Sequence, residues 1–300
     1  YCVGMPCATG VLGSSAMSGA ALALVLGAAV IHATWNALAK RGRDPMAILW
    51  WAGAIGSLIM TPFAIYILWH GGASPRAVPF VVATVILHSV YFFTLARAYQ
   101  SGDFSLVYPL ARGLGVAIVP VAAFLLFDER LSPLGVTGIV LIGTGIFALN
   151  WRPGAWSEDT LLKPGTGWAI VTGLCIASYS LVDKGGVAHI HPLPYLWAME
   201  AGSCAALLAP VLARHGSLSR EWRENRRSVL VSAVLSPGAY LLVLFAFQFS
   251  KAGYVVAGRE VSIVISALMG SLWMKEGALG QRLLGAGVVA SGVICVAFAR

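Results

Sequence analysis

Charge is what this chain has least of. Asp, Glu, Lys and Arg together make up 11% of its 300 residues, against roughly 25% in an ordinary soluble domain. A water-facing surface cannot be assembled from so few, which points away from a soluble globular protein. Cysteine is scarce and unpatterned. Cys175, Cys204 and Cys295 lie inside apolar segments and Cys2 and Cys7 near the start; without Cys-x-x-Cys or Cys/His ligand spacing, neither a zinc site nor a disulfide scaffold is expected. A Gly-x-x-x-x-Gly-Lys-Ser/Thr loop is also missing, and the longest polar stretch, Arg214 to Arg227, is too short for an ATPase domain. No cofactor or metal is implied.

Apolar sequence fills the space. Hydrophobic residues reach 58% and the mean hydropathy is +0.81. Crossing the hydrocarbon core takes about 20 mostly apolar residues in a helix. Runs of that length occupy 20–39, 46–69, 77–99, 104–127, 133–151, 165–183, 192–213, 228–250, 253–274 and 281–299, joined by short links such as Gly42-Arg43-Asp44-Pro45. The expectation is an all-α, multi-pass protein of a cell (cytoplasmic or inner) membrane with ten transmembrane helices. Residues 1–17 lack the basic region of a signal peptide and read as an unstructured N-terminal extension. The net charge of +8 sits in clusters between the runs, which suits anchoring to anionic headgroups of the lipid bilayer rather than nucleic acid.

The chain repeats itself. Ala33-Thr34-Trp35-Asn36-Ala37-Leu38-Ala39-Lys40 overlays Ala177-Ser178-Tyr179-Ser180-Leu181-Val182-Asp183-Lys184, 144 positions on. Arg112 meets Arg259, Glu129 meets Glu276, and Gly138 and Gly145 meet Gly285 and Gly292, each 147 positions on. The halves are 18–152 and 165–299. Five spans per copy is an odd number, so the second copy is expected upside down relative to the first: two inverted five-helix repeats, an arrangement of many secondary transporters whose substrate site lies between the repeats. Loops after odd-numbered spans carry 13 Lys and Arg against 5 on the other side, which favours both termini outside.

The motifs His32-Ala-Thr-Trp-Asn36-Ala-Leu-Ala-Lys40, Ser105-Leu-Val-Tyr-Pro-Leu-Ala-Arg112-Gly113, Asp128-Glu129-Arg130-Leu131-Ser132 and Arg259-Glu260-Val261-Ser262 resemble those of the EamA family of the drug/metabolite transporter superfamily. The resemblance covers residues 18–299. It implies a ten-helix metabolite transporter, driven by a gradient or by exchange, with a cavity lined by both repeats and both termini cytoplasmic, opposite to the charge count. It leaves the substrate open. The second-half counterpart of Asp128-Glu129-Arg130 is degraded to Lys275-Glu276-Gly277.

Ionisable groups inside spans cost about 2.5–3.5 kcal/mol each on insertion scales and usually face a cavity or a partner. Arg112, Glu200, Arg259 and Glu260 are such groups. Ser105, Tyr108 and Arg112 share a helical face at i, i+3, i+7, as do Arg259, Ser262 and Ser266. Two readings stay open for the arginines: a clamp for a substrate carboxylate or phosphate, or a locking salt bridge with Glu260 or Glu200. His32, Trp35 and Asn36 on the first span and Tyr179 on its counterpart complete the expected cavity lining with Tyr91, while His88 and Tyr240 form a weaker set. Glu200, Glu260 and His32 are the coupling and gating candidates, the partner being a proton or other ion. Lys40 and Lys184 are expected to snorkel to headgroups, and Glu129 and Glu276 to cap or orient a loop. Gly138, Gly145, Gly285 and Gly292 are expected to pack helices closely, with a monomer or homodimer both allowed.

Function follows at the level of class: a secondary transporter, exporting a small metabolite such as an amino acid or another organic anion or zwitterion. The alternatives are multidrug or cation efflux and, more distantly, a membrane-embedded lipid-modifying enzyme, for which no catalytic cluster is visible.

Overall fold

The computed structural model describes residues 17–39, 44–102, 104–151, 163–213, 216–265 and 279–299. The helices are α1 Gly19–Ala39, α2 Pro45–Trp69, α3 Val78–Ser101, α4 Phe104–Phe127, α5 Pro133–Asn150, α6 Pro164–Gly186, α7 Pro192–Leu212, α8 Ser217–Phe249, α9 Ala252–Arg259 and α10 Leu279–Phe298. Four of them open on proline at a position where its missing N–H costs nothing. In three of these the preceding side chain caps the helix: Asp44 Oδ1 accepts from Met46 N–H at 3.0 Å, Ser132 Oγ from Gly135 N–H at 3.3 Å, and His191 Nδ1 from Leu193 N–H at 3.2 Å. The X-Pro pairs in the loops are therefore what punctuates the apolar sequence into helices.

Among the described residues seven helices are long and apolar enough to cross a membrane, and α1 and α5 contain shorter apolar stretches, Gly19–Trp35 and Pro133–Leu149. The outward faces carry large apolar side chains in the open, such as Leu58, Leu125, Leu284 and Phe298, a surface suited to lipid.

Helices from the two halves interleave. The first helix of each half packs on the third of the other, α1 on α8 and α3 on α6; α2 packs on α7, and α5 on α10. The α5–α10 seam is reciprocal. A Cβ placed on Gly138 would stand 2.6 Å from the carbonyl oxygen of Gly292, and one on Gly292 would stand 2.6 Å from that of Gly138. A Cβ on Gly145 would meet Val289 and the carbonyl oxygen of Gly285, and one on Gly285 would meet Leu149. Rising residue numbers on α5 meet falling ones on α10, so these repeat-related helices run antiparallel, with backbone touching backbone because no side chain intervenes.

Three expectations are corrected. The polar stretch after α7 is no plain loop: from Ser217 it is already helical, bending into the apolar part of α8 at Asn225 (φ −123°, ψ 21°). Its first turns dock on the start of α2, where Glu221, wholly buried, accepts the backbone N–H of Asp44 at 2.9 Å, Ser217 Oγ donates to Asp44 Oδ2 at 2.6 Å, and Trp222 lies against Trp51. Second, the ninth run is not one continuous helix: α9 ends at Arg259 in a turn at Glu260 before residues 261–265 resume helical form. Third, Lys184 does not snorkel. Its Nζ donates to the carbonyls of Phe247 and Ser250 and lies 3.6 Å from Glu129 Oε1, because the α8–α9 turn offers unpaired carbonyl oxygens within reach of α6. Residues 1–16, Lys40 and Glu276 lie outside the described residues, as does the Lys275-Glu276-Gly277 segment.

Candidate functional site

Polar groups that cost free energy in lipid gather where α3, α4, α6, α8 and α9 meet. Arg112, on α4, is 9% exposed and Glu260, just beyond α9, 3%. They form a two-pronged pair: Nη2 to Oε1 at 2.8 Å and Nε donating to Oε2 at 3.0 Å. Of the two readings left open for Arg112, the salt bridge is what the structure contains.

Arg259 behaves differently. Its guanidinium stands 5.2 Å from the ring centroid of Tyr240 and makes no hydrogen bond or ion pair among the described residues. The repeat explains the contrast. At the offset of 147, Arg112 corresponds to Arg259, but Glu260 corresponds to Gly113. One copy supplies a carboxylate and the other supplies nothing, so Arg112 reaches across to Glu260 while Arg259 has no mirror-image partner.

Around Arg259 the rings form a cluster. Tyr179 lies 5.5 Å from Tyr91 and 6.4 Å from Tyr240 between ring centroids. His88 lies behind them, 4.2 Å from Tyr179 and 5.5 Å from Tyr240, and is 4% exposed. Tyr91, Tyr108, Tyr240, Arg259 and His32 are each partly buried among the helices. The hydroxyls of Tyr91 and Tyr179 have no hydrogen-bond partner among the described residues.

Other expected residues fall elsewhere. His32, on α1, meets Trp35 edge to face at 5.0 Å. Trp35 itself is 8% exposed and packs with Ile48, Val229 and Trp51 between α1, α2 and α8, the position of a packing residue rather than of a cavity wall. Asn36 lies in α1 but outside the residues whose side chains are described, as does Ser105 in α4; Ser266 lies outside the described residues altogether. Glu200 sits at the α2–α7 crossing, where a Cβ on Gly53 would be 2.7 Å from its Oε2. Glu129 caps α9: its Oε2 accepts the N–H of Ala252 at 2.7 Å, and burial raises its pKa above the ordinary carboxylate value, with Lys184 pulling the other way.

One residue was missed by sequence reasoning. Asp183 is completely buried and accepts hydrogen bonds from Thr84 Oγ1 at 2.6 Å, Tyr195 Oη at 2.7 Å and Tyr240 Oη. Its place at the end of the sixth run made it look like a boundary charge. The signal was in the overlay, where its counterpart is Ala39: a carboxylate present in one copy alone has no structural duty shared by both.

A bundle of apolar helices in two interleaved copies, with buried charges among them, is the architecture of a multi-pass membrane transporter. The chain belongs to the EamA-like transporter family, which matches residues 19–151 and again residues 163–298, and so to the drug/metabolite transporter superfamily. It is 37% identical over 73 residues to the nicotine metabolites export pump subunit NepA of Paenarthrobacter nicotinovorans, a match spanning 24% of this chain and 63% of that subunit. It is 28% identical over 103 residues to the spermidine export protein MdtI of Salmonella paratyphi B, spanning 34% of this chain and 94% of that protein. A solved crystal structure has the same fold, with a TM-score of 0.72, 17% identity, and coverage of 92% of this chain and 95% of the other. These relationships support a membrane exporter in general.

Proposed function

We propose that this chain is a secondary transporter of the inner membrane that exports a small zwitterionic or anionic metabolite, such as an amino acid. The observation that carries this reading is Arg259: a permanent cation, partly exposed among the helices and resting on an aromatic face, with no ion pair of its own among the described residues. A guanidinium there is a fork waiting for a carboxylate. Tyr91 and Tyr179 supply hydroxyls and ring faces for the rest of the solute. The Arg112–Glu260 pair holds α4 against the end of α9 and so fixes where Arg259 points. Inverted repeats rocking about this site open it to each side in turn. The work is transport, with no catalysis; the partners are the solute, the bilayer and a coupling ion, in a monomer or homodimer.

A second reading has its own support. The ring faces of Tyr91, Tyr179 and Tyr240 suit an organic cation, and two of the chain's relatives are named for exporting nicotine metabolites and spermidine. Purified protein in proteoliposomes, offered labelled amino acids, dicarboxylates and polyamines in turn, separates the two. The first reading expects amino-acid or carboxylate movement that Arg259→Gln abolishes. Polyamine movement indifferent to Arg259→Gln establishes the second.

A further inference from the structure

We infer that the first turns of α8 are a binding site for an anionic phospholipid, whose headgroup phosphate is held by Arg223, Arg226 and Arg227; the site is separate from the cluster around Arg259 and independent of the solute. The first step is depth. The apolar part of α8, from Val229 to Phe249, covers about 30 Å at about 1.5 Å per residue, which is the whole of the hydrocarbon core. Ser217 to Arg227 therefore lies at the level of the headgroups. Trp222, 38% exposed, rests against Trp51 with ring centroids 5.1 Å apart, and Trp51 Nε1 donates to the carbonyl of Leu218 at 3.0 Å. Indole rings favour that same layer.

The second step is charge. From Ser217 to Arg227 the chain carries four Arg against two Glu. Glu221 is turned into the bundle, where its Oε1 accepts from Asp44 N–H at 2.9 Å and its Oε2 from Asn225 Nδ2 at 2.7 Å; Arg220 comes no nearer to it than 3.9 Å. Glu224 is exposed, and so are Arg223, Arg226 and Arg227. Arg223 Nε donates to the carbonyl of Ser219 at 3.3 Å, and none of the three arginines has an ion pair among the described residues. Arg220 and Arg223, and again Arg223 and Arg226, are i, i+3, while Arg223 and Arg227 are i, i+4, spacings at which like charges repel. One anion shared among them relieves that repulsion, and guanidinium forks match the oxygens of a phosphate.

The third step separates a lipid from a free anion. One turn below Arg226 and Arg227, at i+4 from each, α8 presents Leu230 and Val231, and Val234 follows Leu230 on the same face; they are 46%, 42% and 59% exposed. Arginine above and apolar rows below match one phospholipid, its phosphate on the guanidinium groups and its acyl chains along the rows. A soluble phosphate gains nothing from the rows. A zwitterionic lipid covers them, but its own cation offsets its phosphate, so a headgroup with net negative charge, such as phosphatidylglycerol, fits both features.

Native mass spectrometry of the full chain in detergent tests this, by titration with phosphatidylglycerol or with phosphatidylcholine of the same acyl chains. An arginine at a negatively charged headgroup layer is worth about fivefold in binding, so the wild type is expected to prefer phosphatidylglycerol by on the order of a hundredfold. Arg223→Gln, Arg226→Gln and Arg227→Gln are each expected to lower that preference about fivefold, and the triple variant to bring it to about one. Arg76→Gln with Arg130→Gln, which removes two exposed arginines from other loops, is expected to leave it unchanged. Glycerophosphoglycerol, the headgroup without chains, is expected to compete only weakly. Equal affinity of the wild type for the two lipids overturns the proposal. A loss in the Arg76 and Arg130 variant as large as in the triple variant overturns the place of the site. Competition by glycerophosphoglycerol as strong as by phosphatidylglycerol itself overturns the lipid as occupant in favour of a free anion.

Discussion

Placing a methyl group on Gly138 is expected to weaken the α5–α10 seam, and the size of the effect can be worked from the contacts. The new Cβ would stand 2.6 Å from Gly292 O, 2.8 Å from Val296 Cγ2 and 2.9 Å from Val296 N. Two of these three are backbone atoms, which cannot rotate away. Restoring ordinary contact at 3.4 Å moves the helices apart by about 0.8 Å along that line, which undoes the neighbouring Gly145–Gly285 contact as well. Overpacking of this kind costs about 1–3 kcal/mol. Alanine also gains about 0.8–1.0 kcal/mol of helix propensity over glycine, which would mask part of the loss. Gly143 supplies the correction: it is on the same helix, and a Cβ there meets nothing within 4 Å. The difference between Gly138→Ala and Gly143→Ala cancels propensity and leaves the seam. Thermal unfolding in detergent, followed by tryptophan fluorescence, should place Gly138→Ala below Gly143→Ala by about 2–6 °C. Equal midpoints for the two variants would refute the close-packing argument.

Other consequences are open to direct measurement. Removing one member of the Arg112–Glu260 pair, as in Glu260→Gln, strands a buried charge and is expected to cost about 3–5 kcal/mol, whereas Arg112→Met with Glu260→Met recovers most of it; unfolding midpoints of the single and double variants read this out. Glu129→Ala removes the cap on α9 and the ion pair with Lys184; a loss of about 1 kcal/mol in stability and a lowered transport rate are expected, since α9 aims Arg259. His191 caps α7 through Nδ1 as acceptor, which requires the neutral ring, and burial lowers its pKa. Because the unfolded chain binds the proton first, below about pH 6.5, this contribution is complete above that pH and declines as pH falls from there toward the lower folded value. His191→Asn should flatten that part of the stability–pH curve.

Much of the architecture was legible because lipid imposes it. Runs of about 20 apolar residues had few alternatives to helix, and the X-Pro pairs at positions 44, 132, 163 and 191 marked where four helices begin. The repeat survived in Gly138, Gly145, Gly285 and Gly292 because backbone contact at the seam tolerates nothing larger. Contacts between distant helices were not legible. Nothing local told which carboxylate Arg112 would meet, 148 positions away, or that Glu129 would cap a helix of the other half. Asp183 escaped notice because hydropathy sees a charge near a span end and cannot see three hydroxyls converging on it. The amphipathic start of α8 was hidden by its own arginines, since Glu221 is buried only because Asp44 and Asn225 come to it.

The measurement that bears most directly on the proposed function is uptake of a 14C-labelled amino-acid mixture by proteoliposomes holding the wild type, Arg259→Gln or Arg259→Lys. Movement by the wild type, loss in Arg259→Gln and partial recovery in Arg259→Lys, which keeps the charge without the fork, are the results expected of the proposed clamp. Wild-type rates in Arg259→Gln would contradict it.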